Sequence, residues 1–139
     1  MNIIETEFRE VEKILDELII KDGKELRSAG FQLVDHSART YHYKNDHLFW
    51  DYSFQKEWLV NHEHACVTVR LLYGEPIKPK DAPIITLSWR SEVYQQGQES
   101  LIDKRNEQKC PLDYVKSEGI AVLVIKAFEE GLACLPSPL

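Results

Sequence analysis

Between Gly30 and Arg90 several runs place apolar side chains at every second position, and this period of two constrains the chain more than any other feature. Successive side chains of a strand point to opposite faces, so such alternation marks strands with one buried face and one open face. Phe31 and Leu33 alternate with Gln32 and Val34, and Tyr41 and Tyr43 flank His42. After Asn45-Asp46 the run Leu48, Trp50, Tyr52 and Phe54 continues the pattern. Asn and Asp tolerate left-handed backbone, so Asn45-Asp46 is the expected hairpin tip. Glu63 to Tyr73 is the strongest strand, with Ala65, Val67, Val69 and Leu71 on one face and Cys66, Thr68 and Arg70 on the other. Gly74 to Pro83 holds three prolines and a glycine and reads as a loop; Ile84 to Arg90 then forms a further strand with Ile85, Leu87 and Trp89 inward.

The two ends of the chain follow a helical period instead. Ile4, Phe8, Val11, Leu15 and Leu18 fall on one stripe. Asn2 and Glu5 have capping-box spacing, with Thr6 an alternative start. Gly23 is the expected end of this helix, followed by one further turn, Lys24 to Ala29, before Gly30. The outer face carries Glu5, Glu10, Glu12, Asp16 and Glu17, partly neutralised by the four-residue pairs Glu5–Arg9, Lys13–Glu17 and Glu17–Lys21. Leu112 to Leu132 is a second helix, with Pro111 just inside its start. Within it, Ile120 to Ile125 is apolar on all sides and also suits a buried strand; the continuation Lys126 to Glu130 and Gly131 favour helix, and Gly119 weakens it. Gln95 to Lys109 is polar and reads as a long loop or a short solvated helix.

These elements define one α+β domain over residues 1–139, with a loose tail at 135–139. A four- to five-stranded antiparallel sheet packs with the N-terminal and C-terminal helices. The hairpin spacings leave no room for crossover helices, which excludes a parallel nucleotide-binding sheet.

The charge balance then narrows the partners. The net charge is −6 and the isoelectric point is near 5.4. Such a chain gains nothing from counterion release on nucleic acid and is repelled by anionic lipid, so neither nucleic acid nor membrane is an expected partner. A basic protein would be attracted, although a mildly acidic balance also serves solubility alone. The acidic N-terminus lacks the basic head and apolar run of a secretory signal. Cys66, Cys110 and Cys134 form neither a disulfide framework nor a zinc pattern, so a cytoplasmic location is expected.

Few residues suggest chemistry. His62 and His64, two apart on a strand, would face the same side, but a metal site needs a third ligand, and His36, His42 and His47 cannot be placed from sequence. No metal or other cofactor is expected. Cys110 precedes Pro111 at an expected helix start, where the dipole would favour a thiolate, yet a packed structural cysteine suits it better. The isolated glycines form no phosphate loop, and there is no nucleophile elbow or His-Glu-x-x-His helix. The aromatic run Phe49 to Phe54 lacks interleaved Lys or Arg and reads as sheet core rather than a nucleic-acid platform. Trp89-Arg90-Ser91-Glu92-Val93-Tyr94 brings together residue types that dominate interfaces; a core Trp beside a surface Arg–Glu pair explains it equally well.

A compact acidic chain with an N-terminal helix, aromatic hairpins, a strand ending in Trp89-Arg90-Ser91-Glu92 and a closing helix resembles the small immunity proteins of bacterial polymorphic-toxin and contact-dependent inhibition systems. The likeness is one of organisation. It implies a non-enzymatic, stoichiometric inhibitor of a cognate toxin domain, often a basic nuclease. The expected partner-binding residues are Arg90, Glu92, Tyr94, Glu99 and Asp103, with no catalytic residue. Two other readings stay open: a secretion chaperone holding an extended effector segment, and a small hydrolase using His62, His64 or Cys110.

Overall fold

In a computed structural model of the chain, which describes residues 3–40, 48–60, 62–95 and 100–135 (the side chains of 33–40 and 100 excepted), the elements run in a simple order. They are α1 (Ile3–Ser28), β1 (Gln32–Thr40), β2 (Leu48–Val60), β3 (Glu63–Gly74), β4 (Ile84–Tyr94), β5 (Ser100–Pro111), α2 (Leu112–Glu118) and α3 (Ile120–Leu132). The strands form one antiparallel sheet in the order β1-β2-β3-β4-β5, each paired with its neighbour in sequence. This is the α+β architecture that the alternation and the flanking helical periods dictate.

The stripe that α1 buries is Phe8, Val11, Leu15, Ile19, Gly23 and Leu26. It leaves the expected stripe at Leu18, which is only half-buried, because a longer helix carries its buried positions on to Leu26. Gly23 therefore lies inside the helix and does not end it. The terminator is Gly30, at φ +92°. There the Phe31 N–H reaches the Leu26 carbonyl and the Gly30 N–H the Arg27 carbonyl, both at 3.0 Å. That is a Schellman motif, with Leu26 and Phe31 both buried.

Three further expectations are corrected. β4 does not stop at Arg90 but continues to Tyr94, and the polar segment after it is strand β5 from Ser100 onward, neither loop nor helix. β5 lacks apolar alternation because on its helix side Asn106 and Gln108 line an open cleft against α2 and α3 rather than packed core, and pairing with β4 from Ile84 to Tyr94 holds its backbone. The second helix is two helices. Gly119 takes φ +89° and ψ 145°, which breaks the run, and Pro111 both closes β5 and caps the start of α2, one position before the helix proper. The new N-terminus of α3 is served from α1, where Asp22 accepts the Ala121 N–H at 3.2 Å. Ile120 to Ile125 is helical. The expectations for Asn2, Tyr41 to Tyr43, Asn45-Asp46, His47, Glu99 and residues 136–139 fall outside the described residues.

The helices lie on one face of the sheet, α3 over β3 and β4 and α1 over β2 and against α3. Beneath them Trp50, Val69, Leu71 and Ile85 form one core with Phe8, Leu15, Val115, Leu123 and Val124, all essentially without solvent exposure. Phe8 stacks on Tyr73 with ring centroids 5.3 Å apart. Trp50, buried in this core, donates its indole N–H to Asp16 at 2.8 Å, so a carboxylate of the outer α1 face also satisfies a core donor.

Candidate functional site

Among the described residues no helix lies over the opposite face of the sheet, and antiparallel register sorts its side chains into cross-strand rows. From β2 to β5 one row reads Asp51, Leu72, Thr86, Lys109 and the next Ser53, Arg70, Ser88, Glu107. Then come Gln55, Thr68, Arg90, Arg105, followed by Glu57, Cys66, Glu92, Asp103. His64 and Tyr94 close the series.

Oppositely charged side chains knit the rows. Arg70 grips Asp51 at 2.6 Å, and Asp51 is buried despite facing the open side. Arg90 makes a two-pronged contact with Asp103, at 3.1 and 2.9 Å, and lies 3.4 Å from Glu92. Arg105 reaches the same Asp103 at 3.4 and 3.3 Å. Arg90 and Arg105 are directly opposed like charges, an arrangement that costs energy unless a carboxylate sits between them. Asp103 supplies it, and hydrogen bonds from Arg90 and then Arg105 lower its carboxyl to about 2. In these pairs the guanidinium stands further out than its carboxylate: the Arg70 side chain is 48% exposed and Asp51 9%, Arg105 65% and Asp103 31%. The guanidinium edges therefore stand outermost on this face.

At the far end His64 stacks on Tyr94, with centroids 5.3 Å apart, and its Nδ1 lies 3.8 Å from Glu57. Burial, and then the charges of Glu57, Cys66 and Glu92, raise the Tyr94 hydroxyl. Cys66, between the two carboxylates of its row, is buried and donates to Gln55 at 3.3 Å; burial raises its thiol. A groove of about 670 Å³ runs over Ser53, Thr68 and Ser88 between Arg70, Arg90 and Arg105.

Four of the residues singled out from sequence thus converge. Arg90, Glu92 and Tyr94 alternate along β4, and Asp103 lies across from Glu92 on β5. They share a sheet face, not the expected loop. Arg70, Asp51, Arg105 and Glu57 were missed. Only cross-strand register brings them together, and Arg105 was hidden by reading its segment as loop or helix. Trp89 points the other way, onto the helix side, where it donates to Glu130 at 3.1 Å.

The histidine pair does not form. His62 sits in the β2–β3 turn at φ +69°, while β3 starts at Glu63, so His62 and His64 do not share a strand face. Among the described residues no group of three His, Cys, Asp or Glu is placed to hold a metal ion. Cys110 is buried on the helix side of β5, where Gln108 donates to its sulfur at 3.5 Å, so substrate has no access to it. Cys134 is exposed.

Charge is divided between the layers. α1 carries eight acidic and five basic residues, and α2 and α3 together add four acidic and two basic ones. The helix layer thus holds five of the six net negative charges. Among the described residues no helix is long and apolar enough to cross a membrane. Comparison with protein-family models, curated proteins and solved structures finds no match.

Proposed function

We propose that this protein is a non-enzymatic binding module that engages a protein partner stoichiometrically through the open sheet face, in the manner of an immunity protein covering its toxin. The observation that carries this reading is the Arg90–Asp103–Arg105 cluster beside the His64–Tyr94 stack. Arg and Tyr held by neighbours lose little rotamer freedom on binding, and they are the side chains that most often dominate interface energetics. The cluster stands on three adjacent strands of one sheet, so the surface is pre-organised.

A basic partner suits the charge pattern in two ways. The net charge of −6, concentrated in the helix layer, draws it from a distance. At close range the exposed Glu57 carboxylate, near Tyr94, offers it an acidic contact. A cytoplasmic toxin nuclease has the required basic character. Affinity capture with the wild-type chain followed by mass spectrometry identifies the partner, and its loss from an Arg90→Ala/Tyr94→Ala variant that remains folded tests the assigned face.

A further inference from the structure

β5 ends the sheet, and its partner among the described strands is β4 alone. Its side chains from Asp103 to Lys109 are all exposed. An edge of this length presents backbone donors and acceptors for a further strand, and proteins usually blunt such an edge with charge; here the Asn106 Oδ1 accepts the Glu107 N–H at 2.9 Å and would give it up on pairing. Here the charges follow a pattern that blunting alone does not require. On the open face Asp103, Arg105, Glu107 and Lys109 alternate in sign, with Asn106 at their midpoint.

We propose that β5 is a self-association edge, on which a second copy of this chain pairs its own β5 antiparallel about a two-fold axis at Asn106. A two-fold axis perpendicular to the sheet keeps open face against open face, so a residue can oppose only residues an even number of positions away. Centred on Asn106, Asp103 of each copy lies opposite Lys109 of the other, and Arg105 opposite Glu107. On the helix side Lys104 meets the neutral Gln108. Every other centre from Lys104 to Glu107 fails. Centring on Lys104, Arg105 or Glu107 sets that charge against itself, and the last two also oppose Asp103 to Glu107 or Arg105 to Lys109. The charges thus permit one well-overlapped register.

The contact is small by the standard of permanent interfaces, so the dimer forms and dissociates with concentration.

The test uses the full chain in sedimentation equilibrium over a micromolar-to-millimolar range. Wild type is expected to rise from 16.2 kDa toward twice that mass. Arg105→Glu alone places Glu against Glu107, and Glu107→Lys alone places Lys against Arg105, so each variant is expected to stay monomeric while keeping the wild-type circular dichroism spectrum. An equimolar mixture restores opposite charges at both sites and is expected to dimerise. A wild type that remains monomeric at millimolar concentration overturns the proposal. So do single variants that associate as wild type does, or a mixture that stays monomeric while wild type dimerises.

Discussion

The hydroxyl of Ser91 donates to the carbonyl of Gly131 at 2.7 Å, a buried bond that fastens the last turn of α3 to the middle of β4. Gly131 permits that approach. A Cβ there would stand 2.8 Å from Ser91 Oγ and 2.9 Å from Val67 Cγ1. Gly131→Ala gains ~0.5–1 kcal/mol of helix preference. Overpacking costs ~1–3 kcal/mol, so the variant is expected to be less stable. Ser91→Ala removes the donor and is expected to cost ~1–3 kcal/mol. Chemical denaturation of both variants checks the pair, and midpoints equal to wild type would contradict this packing.

Phe8 and Val67 test the core from its two layers. Both are completely buried, and Phe8 also stacks on Tyr73. Phe8→Ala is expected to cost ~3–5 kcal/mol. Val67→Ala should cost about 2 kcal/mol, from two lost methyl groups at ~0.8 kcal/mol each plus the cavity. Urea midpoints should rank Phe8→Ala below Val67→Ala, and both below wild type.

Much of this fold is written in the sequence as periodicity. Leu48, Trp50, Tyr52 and Phe54 and the run Ala65 to Leu71 face a helix layer, so alternation marks them plainly. β5 leaves no such mark, because on its helix side Asn106 and Gln108 line an open cleft facing Tyr114, Leu123 and Lys126 rather than packed core, and Lys104 is exposed. The candidate face was legible one strand at a time. Arg90, Glu92 and Tyr94 share a parity, but Arg70 and Arg105 join them only through register, a long-range property that no local pattern carries.

Asp103 should titrate well below an ordinary aspartate. Its folded-state value of about 2, against 3.8 when unpaired, means that the pairing favours the folded state above pH 3.8 and is lost as pH falls toward 2. The site is solvent-accessible, so the contribution is at most ~1 kcal/mol. Carboxyl-detected NMR titration is expected to place Asp103 near 2 in wild type and closer to 3.8 in Arg90→Gln.

Tyr73 sets an alkaline limit. Burial first, and then the charges of Glu7 and Glu75, push its hydroxyl from 10.0 up to about 12. A raised value means that the neutral form is favoured by folding, so this stability is intact below pH 10 and lost as pH rises toward 12. Tyr73→Phe cannot ionise and is expected to move the alkaline unfolding midpoint upward, read by circular dichroism. An unchanged midpoint would exclude Tyr73 as the limiting group.

The open sheet face as the binding surface is tested most directly by quantitative capture of the partner with three chains in parallel. These are wild type, Arg90→Ala/Tyr94→Ala on the sheet face, and Glu10→Ala/Glu17→Ala on the helix layer. The sheet-face variant is expected to lose the partner, because truncating an anchoring Arg or Tyr costs about 2 kcal/mol or more, at least a thirtyfold loss in affinity. The helix-layer variant is expected to retain it and to associate more slowly at low salt. A partner held equally by wild type and the sheet-face variant, and lost from the helix-layer variant, would contradict the assignment.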